Sequence, residues 1–407
     1  MTLPFPSPHT AEPMDAAPIS FPAMTWPDET PAGCPIPRST DFAGVRFLGR
    51  CSDYDMGDTW YPSWADDGHL YSPWTDGQIG GAHCYSETKR TDPAETGQAI
   101  LKGDDPLDLE IIHLGNEPAS SLPYAGRYPA GSLVHNGIWY YGTYCLGPDA
   151  SQQYEGRSYN WPVLGPVPGF RISRDLGRSW TPSPLSPERP LFPEPVDFLG
   201  PVKFGAPHFV DFGKNLEHSP DGKAYLVAHG TDGRTPNPRY ADNSWISGDQ
   251  IYLARVTPSE QTINDPSAWE FYSGTNSDQQ ASWSGRFCDA QPLVTWRQNM
   301  GCVTVTYNAP LQRYFMWVTD GWPTNKTMNS YLLESATLTG PWKLVTYLKS
   351  FGQQAYFLNF PSKFISPDGR QLWLAYSGNF WRGPEIRENP PGSHYGLVLQ
   401  QVELLPI

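Results

Sequence analysis

The stretch GDTWYPSWADDGHLYSPWTDG, Gly57 to Gly77, decides the fold. Thr59 to Ala65 and Leu70 to Thr75 are rich in aromatic and β-favouring residues and read as two strands. Asp66, Asp67 and Gly68 supply a tight turn between them, with Gly68 able to take positive φ. The strands of a hairpin run antiparallel. The residue leading into the first and the residue leaving the second therefore lie at the same end, and these are Asp58 and Asp76. A carboxylate at each open end of one hairpin, beside Trp60 and Trp74, is the best candidate site in the chain.

The hairpin recurs. Ala130 to Gly147 turns at Asn136-Gly137, Ala206 to Gly230 at Pro220-Asp221-Gly222, and Phe360 to Gly378 at Pro367-Asp368-Gly369. Gly301 to Gly321 is the remaining copy. Further strands follow most copies: Leu109 to Leu114, Gly169 to Trp180, Ile251 to Val256, Trp269 to Ser273, Tyr331 to Ala336, Trp342 to Leu348 and Tyr395 to Leu405. Self-similarity at roughly 60 to 95 residues, with about four strands per unit, is the signature of a β-propeller. The all-β reading is thus a single propeller of five blades, or six or seven if Ser151 to Pro168 or Tyr272 to Trp296 hides strands. The last unit lacks its outer strand, and Val45 to Arg50 is free to supply it and close the ring. Residues 1–43 are a Pro-rich arm without periodicity, and 44–407 form the propeller.

Composition agrees with this reading. The 407 residues include 38 Gly and 44 Pro, which cut the chain into short segments, and no sustained helical period appears. The net charge of −14 sets aside nucleic acid and anionic membranes, which need clustered Lys and Arg. No apolar run reaches membrane-spanning length. With 16 Trp and 22 Tyr, an acidic chain suits a sugar, whose C–H face can lie on an aromatic ring; the same rings also fill β cores. The expected partner is an oligo- or polysaccharide met by a monomer.

Six cysteines permit three disulfides but match no zinc or haem spacing. The N-terminus has no basic and apolar leader, so the chain, if complete, is expected in the cytoplasm with reduced thiols; a trimmed signal would reverse both.

Ser173-Arg174-Asp175-Leu176-Gly177-Arg178-Ser179-Trp180 matches the S-x-D-x-G-x-x-W pattern of the Asp-box. It resembles the structural motif of sialidase-type propellers, which lies away from their active sites, so Asp175 is left out of the site. Thr339-Gly340-Pro341-Trp342 resembles the outer strands of five-bladed arabinanase-like glycosidases. The opening hairpin resembles the first blade of the endo-D-arabinanase-like propellers. That resemblance implies two acidic residues on the first blade, at positions matching Asp58 and Asp76. A second resemblance, to seven-bladed propellers acting on rhamnose–glucuronate ends of plant gums, implies histidine chemistry; a count of five blades weighs against it.

Propeller topology sorts residues by face. The starts of first strands and the ends of second strands ring one mouth of the channel. The starts are Asp58, Arg127, Tyr128, Pro207, His208, Arg297, Asn299 and Asn359. The ends are Asp76, Tyr144, His229, Asp232, Asp320, Trp322, Asn379, Trp381 and Arg382. His135 and Asp221 fall on the opposite, turn-bearing face.

Three functions stay open. A glycoside hydrolase uses Asp58 and Asp76 as acid and base or nucleophile. His83, placed by the Gly80-Gly81 loop, is a third catalytic candidate. Trp60, Trp74, Trp322 and Trp381 form stacking walls; Tyr144, His208, His229, Asp320, Asn359 and Asn379 complete the substrate contacts. Asp232 and Asp320 are reserve acids, and Glu194 a more distant one. A lyase would use His83 or Tyr144 as base, with Arg297 or Arg382 holding a uronic acid. A non-catalytic glycan-binding propeller would keep the ligand without turnover. No cofactor is expected. No metal ligand set is assigned, although a structural metal in the central channel, or one held by His83, His208, His229 and Asp76, is conceivable.

Overall fold

The computed structural model describes residues 18–52, 54, 57–86, 93–120, 127–146, 152–154, 157–159, 164–196, 201–234, 242–278, 280–321, 326–378 and 389–407. Five antiparallel sheets follow one another along the chain as the blades of a propeller. Blade 1 is Ser63–Trp64, Leu70–Trp74, Ala94–Lys102 and Glu110–Ser120. Blade 2 is Arg127–His135, Ile138–Cys145 and Phe170–Ser173, extended by the pairing of Ile172 with Thr181. Blade 3 runs His208–Phe209, Ala224–Gly230, Gln250–Val256, Glu270–Thr275 and Ala281–Ser284. Blade 4 is Gly301–Asn308, Arg313–Asp320, Asn329–Ser335 and Lys343–Leu348.

Blade 5 closes the ring. Tyr356–Asn359, Gln371–Ser377 and Val398–Pro406 come from the end of the chain, and Phe42–Cys51 adds the outer strand from its beginning. Phe47 pairs with Val402 and Val45 with Leu404, both fully inside. The arm is more ordered than its composition suggests. Ile19–Ser20 and Met24–Thr25 pair with the closing strand, and Trp26 is buried against Phe47 and Phe351. Gly49 permits this, because a Cβ there would strike the Phe21 carbonyl. Residues 1–17 lie outside the described residues.

Two segments depart from the sequence reading. Ala94–Lys102, a strand of blade 1, was not anticipated, because Glu95, Gly97 and Gln98 break its apolar pattern. Thr59 to Ala65 is paired only at Ser63–Trp64 and, ahead of it, where Asp58 bridges Thr75. Thr59 takes φ 61°, Pro62 has no amide hydrogen, and the Tyr61 amide donates to Ser72 Oγ at 2.8 Å instead of to a backbone carbonyl.

That irregularity is shared. Ladder register breaks between Pro129 and Ser132, between Gly301 and Thr304 and between Tyr356 and Asn359, with Cys302 at φ 44° and Phe357 at φ 51°. Bulges re-aim side chains. Here they gather Tyr61, Ala130, Cys302 and Phe357 with Tyr128, Tyr144, Ala206 and Trp245 in one buried cluster. An aromatic floor therefore crosses the channel beneath the mouth.

The 173–180 stretch forms a turn held by Asp175. Its carboxylate accepts from the Ser179 amide, from Ser179 Oγ and from Ser173 Oγ, which hold it down at about 2. Trp180 packs on Trp139 and Tyr141, and the buried Arg171 guanidinium lies over Tyr141. Cys34, Cys84, Cys288 and Cys302 carry free thiols, so the three-disulfide framework that the count permits is not formed. Among the described residues no helix is long and apolar enough to cross a membrane.

Candidate active site

Asp58 and Asp76 emerge together at the mouth of blade 1. The Asp58 amide donates to Thr75 O at 2.8 Å and the Thr75 amide to Asp58 O at 3.0 Å, so the next residue, Asp76, is delivered to the same end. Asp76 turns out of the strand at φ 50°.

The two carboxyls have different surroundings. Asp58 is 8% exposed, and Tyr356 Oη donates to its Oδ2 at 2.6 Å. Burial, then the charge of Asp76, push it well above the usual carboxylate range; hydroxyls of Tyr356, Tyr395 and Thr59 oppose the rise. Asp76 is half-buried. Its Oδ1 accepts from the Ser86 amide at 2.9 Å and its Oδ2 from Ser86 Oγ at 2.7 Å, an arrangement suited to the ionised form. Tyr395 Oη donates to the Asp76 carbonyl at 2.8 Å. The pair can thus hold one proton between a buried acid and a hydrogen-bonded carboxylate, the division that acid–base chemistry on a leaving group requires.

Other expected residues fall elsewhere. His83 is exposed on a small hairpin, Gly77–Ile79 with Ala82–Cys84, where its carbonyl accepts from Asn116 of the outermost strand of blade 1 and its ring stacks on Tyr85. It therefore lies over the outer part of the blade, away from the carboxyl pair. Trp60 and Trp74 are 2% and 0% exposed and stack on one another at 6.4 Å. They back the hairpin from within the blade and offer no face to a sugar, which corrects their role as walls. Gly97 leaves room for Trp74, because a Cβ at Gly97 would meet the indole.

Tyr144 does reach the floor, stacked on Tyr128 at 5.3 Å. Burial first, then neighbouring groups that include Asp58 and Asp76, raise its phenol well above the ordinary value, which makes it a poor base. His208 and Asn359 lie below the floor instead of at the mouth. They line a cavity of about 40 Å³ with Tyr61, Ser132, Asp211 and Thr306, on the side of the turns. Burial holds His208 neutral, down to about 3. The fifth first strand begins three residues earlier than expected, so its leading residue is Tyr356 and not Asn359.

His229 is buried, with Nε2 2.8 Å from the Ser244 carbonyl, and burial lowers it to about 4. Arg297 pairs with Asp232 at 3.5 Å and approaches Asp249 at 4.0 Å, so this arginine and this reserve acid serve one another. Asp320 accepts from Tyr331 and Asn329 inside blade 4, and burial raises it to about 6. Glu194 Oε1 accepts from the Lys203 and Phe204 amides at 2.6 and 2.9 Å, and burial raises this carboxyl to about 7. Trp322, Asn379, Trp381 and Arg382 lie outside the described residues, as does the side chain of Arg127. Among the described residues no group of three or more His, Cys, Asp or Glu is arranged to hold a metal, so His83, His208, His229 and Asp76 form no such set.

The sequence reading missed Tyr356, Tyr395 and Trp245. Tyr356 was hidden by the three-residue register error, Tyr395 by its assignment to a strand that begins at Val398, and Trp245 by the loop-like NSWISG around it.

No family model matches the chain, and no curated protein does. Solved structures align along most of it at low identity. A crystal structure from Bacteroides ovatus shares 13% identity over 92% of this chain and 95% of that chain, with a TM-score of 0.49. The α-L-arabinofuranosidase PaAbf62A from Podospora anserina, in complex with cellotriose, shares 10% over 95% and 96%, at 0.42. The endo-arabinanase from Bacillus licheniformis shares 13% over 86% and 96%, at 0.39. These likenesses are too distant to assign chemistry to this chain, which rests on the site itself.

Proposed function

We propose that this propeller is a glycoside hydrolase acting on an oligo- or polysaccharide, with Asp58 as general acid and Asp76 as base or nucleophile. The observation that carries the reading is the unequal carboxyl pair at the mouth: Asp58 buried and pushed up by burial and by its neighbour, Asp76 held as an acceptor by Ser86. Hydrolysis of a glycosidic bond needs these two states, a proton for the leaving oxygen and a carboxylate for the sugar or the water. The raised Tyr144 phenol and the outlying His83 supply no comparable base for β-elimination.

The test is turnover on plant and bacterial polysaccharides by the wild type, Asp58→Asn and Asp76→Asn, following reducing ends and ultraviolet absorbance together. The expected result is reducing ends without absorbance, lowered about a hundredfold to ten-thousandfold in each variant. Absorbance that persists in both variants would mean elimination and sink the carboxylate pair. Asp58 must be protonated to act, so wild-type activity should fall as pH rises through its elevated pKa.

A further inference from the structure

Blade 5 reaches across the closure of the ring to both carboxyl residues. Tyr356, at the start of its first strand, is 2% exposed and gives its hydroxyl to Asp58 Oδ2 at 2.6 Å. Tyr395, just ahead of its third strand, gives its hydroxyl to the Asp76 carbonyl at 2.8 Å. That bond falls where Asp76 sits at φ 50°, a conformation a non-glycine residue keeps only when its surroundings impose it. The Tyr356 ring is itself pinned. Trp245 meets it edge-on at 5.2 Å and 78°, and Phe357 at 6.0 Å and 72°.

We propose that Tyr356 and Tyr395 are positioning residues: one phenol of the closing blade orients the Asp58 side chain, the other holds the Asp76 backbone, and together they set how the pair faces the substrate. This rests on the hydrolase reading for its catalytic consequence, but not for the contacts themselves. Among the described residues few groups surround Asp58, and the Thr59 hydroxyl is one of them. Asp76 and Tyr61 face it from blade 1, Tyr144 from blade 2, and Tyr356 and Tyr395 from blade 5. Asp76 is the one other carboxyl among these described groups, and Tyr356 is the donor whose hydrogen bond favours the charged form of Asp58 most. Without that donor the proton is held more tightly.

The experiment titrates the full chain carrying ¹³C-labelled Asp carboxyls by NMR, with the Asp58 signal identified by its disappearance in Asp58→Asn. In Tyr356→Phe the Asp58 midpoint is expected to move up by about one unit, tenfold in proton affinity. On whichever polysaccharide the wild type turns over, Tyr395→Phe is expected to lower kcat about tenfold with KM unchanged, since its hydroxyl holds the Asp76 backbone and also supports Asp58, two groups that act on the reacting bond and not on substrate binding. An unmoved midpoint in Tyr356→Phe overturns the proposal, as does an unchanged kcat in Tyr395→Phe. Should Tyr356→Phe fail to fold, protein made with 3-fluorotyrosine, a stronger donor, is titrated instead. Its Asp58 midpoint is expected to fall, and an unmoved one overturns the proposal. If the wild type turns over no polysaccharide, the hydrolase reading falls, while the NMR midpoint still decides the positioning role.

Discussion

Glu194 shows what a single buried carboxyl does to the stability of this fold. Its Oε1 takes the amides of Lys203 and Phe204, and burial still lifts it from 4.5 to about 7. A carboxyl raised on folding favours the folded state while it is protonated. Its contribution is full below the ordinary value and is lost as pH rises through the folded one. For Glu194 that window runs from 4.5 to about 7. Glu194→Gln keeps an oxygen for the two amides and removes the charge. Relative to wild type, the variant is expected to gain about 3 kcal/mol between pH 4 and pH 8, measured by urea unfolding at both. A difference independent of pH would mean that Glu194 ionises freely in the folded protein. Asp58 has the same sign, so Asp58→Asn should also be relatively more stable in alkali even as it loses its proposed chemistry.

Among elements, the hairpin of Asn243–Ser244 with Ser247–Gly248 does more than its length suggests. The Asn243 carbonyl accepts from Leu164 of the segment leading into the third strand of blade 2, the Ser244 carbonyl faces His229 of blade 3, and the Trp245 and Ile246 carbonyls accept from Cys302 and Gly321 of blade 4. Trp245 then packs on Tyr356 and Phe357 of blade 5. One short hairpin thus ties four blades together and completes the floor beneath the carboxyl pair. Gly301 allows a close approach, because a Cβ there would strike the backbone of Ile246, which has no flexible end to yield. Gly301→Ala is expected to cost about 1–3 kcal/mol by thermal or urea unfolding, an overpacking penalty. A neutral result would show that the hairpin can lift.

The recurring hairpins were legible because most carry their own punctuation: Asp-Gly or Asn-Gly between alternating apolar residues announces strand, turn and strand, and the antiparallel course of the first puts Asp58 beside Asp76. The hairpin of Asn243–Ser244 with Ser247–Gly248 was not legible, since Asn, Ser and Gly read as a loop and their burial is set by distant blades. The inner strands misled for a related reason. The bulge at Phe357 follows no local rule, and with it Asn359 faces the lower cavity while Tyr356 meets Asp58.

The molecule as a whole depends on closure. The ring of five sheets is closed only when the last is completed by the first strand of the chain, and Val45 and Phe47 lie 1% and 0% exposed in that seam. Burying two such side chains contributes about 3–6 kcal/mol, against a net stability for folded domains of about 5–15 kcal/mol. Removing residues 1–52 should therefore leave the Val398–Pro406 edge open and the inner faces of Val402 and Leu404 wet. The truncated chain is expected to lose its cooperative unfolding transition or to associate through the open edge, seen by urea titration and size-exclusion chromatography. A synthetic peptide of residues 42–52 should restore the transition in a concentration-dependent way, because strand addition supplies the same backbone bonds without the covalent link. The closing blade also carries Tyr356 and Tyr395, so the restored complex should recover the wild-type Asp58 titration midpoint along with its stability. A truncated chain that stays monomeric and as stable as the full one would show that the seam adds little, and that blade 5 holds the carboxyl pair without it.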